Sequence, residues 1–297
     1  MINIYNRKIN NPKIYRQFKC GESLITLYNC PLKSRFQDVW SHHNYIVYVM
    51  AGRKVWHTSH GSYELNRDSC VFVRKGASIL EQFFDGAFCL VVFFLPDEFI
   101  CDVLRSKTIP LYRPEEKYQP VISLNSDEPV RAFFQTMVLL FESGREPDPS
   151  LIEIKFRELI LTLAEDAHNS ELLSFFGSLL HEPQAVSLQA VMDDNYCFNL
   201  KLEDLAVLSN RSLSTFKRDF KRHFQCTPGK WLMEKRLNHA MNLLTNTDKT
   251  VSEATFESGF ESPSHFSRAF RDRFGVTPRS RKKAISQLNF KGNFLNL

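Results

Sequence analysis

Apolar side chains recur every four residues in two stretches of the C-terminal third of the chain. A spacing of four places every member of a stretch on one face of an α-helix. Both stretches lie in a duplicated segment, in which Ser212–Pro228 and Ser262–Pro278 share eight of seventeen positions. The pattern therefore predicts two copies of one helix, each anchored by three aromatic rings. These rings are Phe216, Phe220 and Phe224 in the first copy and Phe266, Phe270 and Phe274 in the second.

A shorter helix and a tight turn are predicted before each copy. Residues 202–208 carry apolar side chains at helical spacing, and Ser212 is a suitable N-cap for the helix that follows. Before the second copy, Thr250 and Glu253 have the spacing of a capping box, and Gly259 tolerates the left-handed conformation that ends a helix. This order predicts two helix-turn-helix units, whose second helices enter the major groove of DNA.

The segment between the two copies also has a helical period. A helix over residues 228–244 spans roughly 25 Å at 1.5 Å per residue. Successive major grooves lie roughly 34 Å apart on one face of B-DNA. We therefore expect a linker helix that holds the two units near adjacent grooves, in an all-α C-terminal domain.

The first two-thirds of the chain show a different pattern. Short runs rich in β-branched and aromatic residues alternate with glycine turns, which is typical of a small barrel or sandwich. Residues 128–182 then turn helical, with one apolar face on each of two segments. Together with the C-terminal helices, this predicts an α+β protein of two domains. The runs are residues 45–50, 54–58, 70–73 and 88–95.

Charge is distributed unevenly along the 297 residues. Residues 185–297 hold 18 Lys and Arg against 11 Asp and Glu, a net charge of +7, whereas residues 1–184 have a net charge of −2. A basic C-terminal third on a faintly acidic remainder fits DNA binding by that third alone. Seven scattered cysteines without a CxxC pair indicate neither a zinc site nor a disulfide framework, and free thiols suit a reducing cytoplasm.

Residues 186–283 resemble the DNA-binding domain of the AraC/XylS family of bacterial transcription regulators. Two positions depart from the family pattern: Ala254-Thr255 stands where an Ile-Ala pair is usual, and Asn210 stands where the first turn normally has glycine. Asparagine tolerates a left-handed turn, so the second departure changes little. The residues that carry the resemblance include Asp204–Ala206, Cys226–Pro228, Gly259–Phe260, Phe266–Phe270, Arg273–Gly275 and Thr277-Pro278.

The N-terminal strands resemble, more loosely, the cupin-like barrel that many members of this family carry. The resemblance implies a cupin-like regulatory and dimerisation domain over residues 1–182, with a helical extension over 128–182. A linker at 183–187, a tandem helix-turn-helix domain at 188–283 and a tail at 284–297 follow. The role of the tail is not assigned.

The resemblance also implies which residues touch DNA. Base-reading positions lie on the exposed N-terminal half of each second helix, and arginine there can donate two hydrogen bonds to guanine. Basic residues further along each helix are better placed for phosphates. A solvated surface charge is the alternative for each residue taken alone. The base-reading candidates are Ser214, Lys217, Arg218, Ser264, Ser267 and Arg268, and the phosphate candidates are Lys221, Arg222, Arg271 and Arg273.

The family further implies a sequence-specific regulator of promoter DNA, more often an activator, that contacts RNA polymerase. Its N-terminal domain either senses a small molecule or is governed by a partner protein. In members of this family, the helices at this position of the chain often pair two chains. A homodimer through residues 128–143 is therefore one expectation. Packing of both helices on the barrel is an equal alternative.

An effector pocket is the least specific prediction. Four aromatic residues of the barrel either line a pocket or are simply core, and core is the default. A metal site is not expected, because His57, His60 and Glu64 fall around a hairpin tip and no later histidine follows in the barrel. We therefore predict no cofactor and no enzyme activity. The pocket candidates are Trp40, Tyr45, Tyr48 and Trp56.

Two other functions remain open at this stage. A cupin enzyme with an incidental basic tail is disfavoured by the missing metal ligands, and a non-specific nucleic-acid binder differs from a base reader in its discrimination between DNA sites. The N-terminus has no signal-peptide pattern and no stretch has the roughly 20 apolar residues of a membrane helix. A cytoplasmic protein is therefore expected.

Overall fold

A computed structural model describes residues 1–29, 34–83, 88–105, 114–115, 117–181 and 187–283. The chain divides into two compact units, Met1–Ser187 and Leu188–Leu297. The first contains β-sheets and helices, and the described part of the second is helical. The α+β prediction is therefore confirmed. Of the predicted linker only Ser187 is described, and the predicted tail at 284–297 lies outside the described residues.

Two β-sheets and a layer of helices form the first unit. One sheet has the strand order β1-β4-β9-β6-β7 and the other β11-β8-β5-β10-β3-β2. The strands are β1 (Ile2–Asn3), β2 (Gln17–Cys20), β3 (Ser23–Asn29), β4 (Phe36–Ser41), β5 (Asn44–Ala51), β6 (Lys54–Thr58), β7 (Gly61–Leu65), β8 (Cys70–Val73), β9 (Gly76–Gln82), β10 (Cys89–Leu95) and β11 (Val121–Leu124). The helices are α1 (Ile4–Ile9), α2 (Asp97–Arg105), α3 (Glu128–Glu142), α4 (Pro149–Glu165) and α5 (Ser170–His181).

Strand β5 shows why this unit has three layers. Successive side chains of a strand point to opposite faces of the sheet. Tyr45 and Val47 belong to a core between the two sheets, together with Trp56 of β6. Ile46 and Tyr48 belong to a second core between the outer face of the same sheet and the helices. Because both faces of β5 are covered, its sequence is continuously apolar rather than alternating. The two facing sheets are compatible with a barrel, and the cupin-like assignment stays a prediction.

Helix α3 packs its apolar face on the second core, as the alternative to dimerisation anticipated. The buried residues of α3 are Val130, Phe133, Phe134, Met137 and Phe141, and the ring of Phe134 stacks on Tyr48 with centroids 4.4 Å apart.

On α4 the helical spacing of Leu151, Ile154, Leu159, Ile160 and Leu163 predicts one apolar face, and this prediction is partly wrong. Leu159, Ile160 and Leu163 are buried as expected, but Leu151 and Ile154 are exposed. The helix turns these two away from the sheet, because the buried stripe runs instead through Ile152 and Phe156.

Residues 278–283 of the second unit are helical, and before them lie six helices whose bounds the structure describes. They are α6 (Leu188–Asn195), α7 (Leu202–Leu208), α8 (Leu213–Phe224), α9 (Pro228–Asn246), α10 (Val251–Glu257) and α11 (Pro263–Phe274). Local signals set their ends as predicted: Ser212 accepts from the backbone N–H of Thr215 at the start of α8, and Ser262 accepts from that of His265 at the start of α11. No helix in the described ranges is long and apolar enough to span a bilayer.

Candidate nucleic-acid interface

Helix α8 separates an aromatic face from a basic face. Phe216 and Phe220 are fully buried, and Phe224 packs against Trp231 of α9 with ring centroids 5.8 Å apart. The opposite face is exposed to solvent. It carries Lys217, Arg218, Lys221 and Arg222.

Helix α11 repeats this construction. Phe266 and Phe270 are fully buried in a core that α9 and α10 complete. Of the predicted DNA contacts on α11, Ser264, Arg268, Arg271 and Arg273 are exposed, whereas Ser267 is half-buried. Each second helix thus presents a cationic surface held in place by buried rings. A surface of this kind can bind phosphates and donate to base edges.

The two turns that position these helices use left-handed residues. Asn210 has φ +54° and Gly259 has φ +87°, which confirms why these residue types stand there. Gly259 is also sterically constrained, because a Cβ atom on it would lie 2.7 Å from the carbonyl oxygen of Cys197. The second turn therefore packs directly on backbone that precedes α7.

The linker helix α9 is fixed by a buried arginine. Arg236 donates through Nε to the carbonyl oxygen of Tyr196 at 2.7 Å and through an Nη to that of Phe198 at 2.8 Å. Burial lowers the pKa of Arg236 from its usual value. Sequence reasoning missed this residue, because its partners are backbone atoms about 40 positions away. These hydrogen bonds fix the position of α9 between the two helix-turn-helix motifs.

Sequence reasoning also missed an acid on the DNA-facing helix. Asp219 of α8 has its carboxylate within 3.6 Å of nitrogen atoms of Arg211, Arg218 and Arg222. The equivalent position in the duplicated segment is Ala269. The sequence signal that could have pointed to Asp219 is this difference between the two copies.

A small cavity lies between the two sheets of the first unit and has a volume of about 50 Å³. Tyr45 and Trp56 line it, and the indole Nε1 of Trp56 donates to the Tyr45 hydroxyl at 3.3 Å. Burial raises the pKa of Tyr45 to about 12. The other two pocket candidates are placed elsewhere. Trp40 does not line the cavity, and Tyr48 points to the helical layer on the other face of the sheet.

Two buried lysines also line this cavity. Lys54 is 1% exposed, and its Nζ lies 4.5 Å from the ring centroid of Phe88. The Nζ of Lys8 lies 4.0 Å from the ring centroid of Tyr28. Aromatic faces stabilise a buried ammonium group by cation–π attraction. With Arg7, three cationic side chains line the cavity.

The histidine on β6 has two side-chain partners on neighbouring strands. His57 contacts Ser62 Oγ through Nδ1 at 2.7 Å and Glu81 Oε2 through Nε2 at 2.9 Å. Among the described residues, no group of three or more His, Cys, Asp or Glu side chains could hold a metal ion.

Two family models match this chain. The model for the ExsA N-terminal regulatory domain matches residues 44–175, and the model for a helix-turn-helix domain matches residues 205–284. The virulence regulon transcriptional activator VirF of Yersinia enterocolitica is 27% identical over 233 residues, which cover 77% of this chain and 85% of VirF. The regulator ExsA of Pseudomonas aeruginosa is 24% identical over 263 residues, which cover 80% of this chain and 94% of ExsA.

The chain belongs to the AraC/XylS family. As an AraC/XylS protein, it is a DNA-binding transcription regulator and not an enzyme. This confirms the family and the function predicted from the duplicated helices. Among solved structures, an apo variant of ToxT from Vibrio cholerae is 14% identical, with a TM-score of 0.41, over 88% of this chain and 96% of ToxT.

Proposed function

We propose that this AraC/XylS regulator activates transcription after inserting α8 and α11 into two successive major grooves of promoter DNA. The observation that carries the proposal is the duplicated helix, in which buried phenylalanines anchor an exposed arginine at the same position, Arg218 and Arg268. The linker helix α9 has 19 residues, so it is roughly 28 Å long, which is close to the spacing of adjacent grooves. Activation is proposed because relatives such as VirF are named as activators.

Within each helix, one set of side chains is proposed to contact base edges and a second set to contact phosphates. Arg218 and Arg268, with the serines and Lys217 beside them, contact base edges. Lys221, Arg222, Arg271 and Arg273 lie further along and contact phosphates, which set register rather than sequence. The split follows from geometry, because the N-terminal half of a recognition helix points into the groove.

The test is a binding selection from random DNA with the full chain and with Arg218→Ala, Arg268→Ala and Lys221→Ala. The full chain is expected to recover two short boxes about one helical turn apart. Each arginine variant relaxes one base pair in a different box and loses about 1–3 kcal/mol at the intact site. Lys221→Ala instead weakens all sequences alike and makes binding less sensitive to salt. Absence of any enriched box, or the same profile for all three variants, contradicts the proposal.

The N-terminal unit is proposed to control DNA binding through a small anionic effector in its cavity. About 50 Å³ holds roughly three to five water-sized groups, so the ligand is short. Lys8, Lys54 and Arg7 favour a carboxylate, and Tyr45 and Trp56 offer hydrogen-bonding and apolar contacts. A partner protein acting on this unit is the competing mode of control.

The effector prediction can be tested with acetate, propionate and butyrate, using the corresponding amides as matched neutral ligands. A carboxylate in the cavity is expected to raise the unfolding temperature of the first unit, and the amide of the same size is not, because it lacks the charge. Lys54→Met keeps the side-chain length and is expected to abolish the response. If acids and amides act alike, or neither acts, control by a partner protein is favoured.

Three further parts of the mechanism complete the proposal. The regulator acts as a homodimer that uses α3, it contacts RNA polymerase at the promoter, and it resides in the cytoplasm, where bacterial promoter DNA lies. The apolar residues of α3 that first suggested the dimer are buried within the chain. A dimer through residues 128–143 must therefore use the outward face, which carries Ala132, Gln135, Thr136 and Leu139.

A further inference from the structure

The two DNA-facing helices carry an acid at different positions, since α8 has Asp219 and α11 has Asp272 at the position of Arg222. Asp219 of α8 corresponds to Ala269 of α11 in the duplicated segment, whereas the neighbouring arginines, Arg218 and Arg268, are the same. An acid on a surface that meets phosphates opposes binding. Asp219 lies directly beside the proposed base reader Arg218, whereas Asp272 lies between the phosphate candidates Arg271 and Arg273.

The carboxylate of Asp219 is the hub of three ion pairs. Arg218 donates through Nε to Oδ1 at 3.4 Å, and the same oxygen lies 3.6 Å from an Nη of Arg222. The other oxygen, Oδ2, lies 3.5 Å from Nε of Arg211. Asp219 is only 16% exposed, whereas the side chains of Arg218 and Arg222 are 73% and 80% exposed. A mostly buried acid thus holds two arginines that project into solvent.

The third arginine, Arg211, connects Asp219 to the turn that precedes α8. Arg211 donates through an Nη to the carbonyl oxygen of Ser209 at 2.6 Å, and its side chain is itself mostly buried. The second copy has Glu261 at the position of Arg211, and Glu261 accepts instead from Asn199. Among the described residues, no ion pair involves Arg268. Among the described residues, the cluster of Asp219 with three arginines therefore belongs to α8 and the turn before it, and α11 has no counterpart.

We propose that Asp219 is a positioning residue that sets the sequence discrimination of α8. Because Asp219 accepts from Nε of Arg218, the two Nη groups stay available for guanine O6 and N7. A long side chain that is already oriented loses less freedom on contacting a base. The same carboxylate repels phosphates, so it penalises the backbone contacts that Arg218 makes equally well with any sequence. Thus Asp219 makes α8 discriminate more strongly between sequences than the same helix would without this carboxylate.

The inference rests on the proposed role of Arg218 as a base reader, and it is tested on the full chain. Asp219→Asn keeps the size of the side chain and removes its charge. It is expected to tighten binding to random-sequence duplex and to lower the ratio of cognate to random affinity by about 3- to 10-fold, with the loss confined to the box that Arg218→Ala relaxes. Ala269→Asp is the matched control for charge, because Glu261 and Asp272 stand there in place of Arg211 and Arg222 and no arginine cluster would hold the new acid. It is expected to weaken all duplexes alike. Asp219→Glu retains the charge and is expected to keep most of the discrimination.

A double-mutant cycle separates positioning from other causes. In the Arg218→Ala background, Asp219→Asn is expected to leave the affinity ratio unchanged, because the residue it orients is gone. An equal gain for cognate and random duplexes in Asp219→Asn alone overturns the inference and leaves a simple repulsive charge. An equal fall of the ratio in both backgrounds overturns it in favour of a structural role, which hydrogen exchange over α8 would show as lost protection. If Arg218→Ala itself changes no base preference, the proposed function fails instead.

Discussion

Single residues at special backbone conformations determine where the DNA-facing helices begin. Gly259 could be assigned to a left-handed turn from sequence, because glycine at the end of a helical period has few other uses. Its contact with Cys197 could not, since that contact joins segments about 60 positions apart. Asp219 is a similar case, because its residue type is visible in the sequence but its three arginine partners depend on side-chain geometry.

Gly259→Ala is expected to destabilise the second helix-turn-helix by several kcal/mol. The alanine Cβ would lie 2.7 Å from the carbonyl oxygen of Cys197, and the left-handed conformation adds about 1 kcal/mol. Gly275→Ala is the matched control, because Gly275 has φ +72° but open space around its Cβ position. Hydrogen exchange of the full chain should show lost protection in α10 and α11 for the first variant and a small change for the second. Equal effects of the two variants would show that the backbone conformation alone matters.

At the scale of elements, the helices of the second unit were predicted best. Their ends carry local signals, such as the N-cap Ser212 and the capping box of Thr250 and Glu253, and the structure has both hydrogen-bonded as expected. The helices of the first unit were harder, because an apolar stripe shows that a face is buried but not what covers it. For this reason α3 suggested a dimer surface, although its stripe packs on β5 of the same chain.

Thr250→Ala is expected to cost about 1 kcal/mol in the local stability of α10, and Thr250→Ser little, because serine keeps the cap. The backbone N–H of Thr250 donates to the Glu253 carboxylate at 2.7 Å and lowers the pKa of that carboxyl from its usual value of 4.5. A lowered folded-state pKa means that this contribution is present above pH 4.5 and is lost as the pH falls through the folded-state value. Glu253→Gln should remove that pH dependence, as measured by hydrogen exchange in α10; an unchanged profile would exclude the capping carboxylate as its source.

For the whole molecule, the sequence indicated two units, because both the hydrophobic period and the charge change near residue 185. Composition also indicated that DNA binding belongs to the basic unit, since a net charge of +7 on the C-terminal third fits binding to a polyanion. The cavity between the sheets was not predictable in detail. Of four aromatic candidates, two line it, and Lys8 and Lys54 were not considered. Buried lysines are rarely anticipated from sequence, because lysine is normally a surface residue.

At the scale of the whole molecule, we predict that two chains form a dimer through the outward face of α3. Leu139 is 65% exposed on that face, and Ile154 of α4 is 57% exposed on a neighbouring helix of the same unit. In sedimentation of the full chain, Leu139→Asp is expected to weaken the dimer by about 1–3 kcal/mol, because it places an unpaired charge in the interface, whereas Ile154→Asp leaves it intact. The loss should also remove any preference for DNA that carries two copies of the selected site, while binding to a single copy is unchanged. A wild-type chain that stays monomeric at high micromolar concentration, or a Leu139→Asp variant that dimerises as well as the wild type, would show that α3 does not form the dimer. The exposed Leu139 then marks no dimer interface, and a second copy of the site would have to be bound without help from α3.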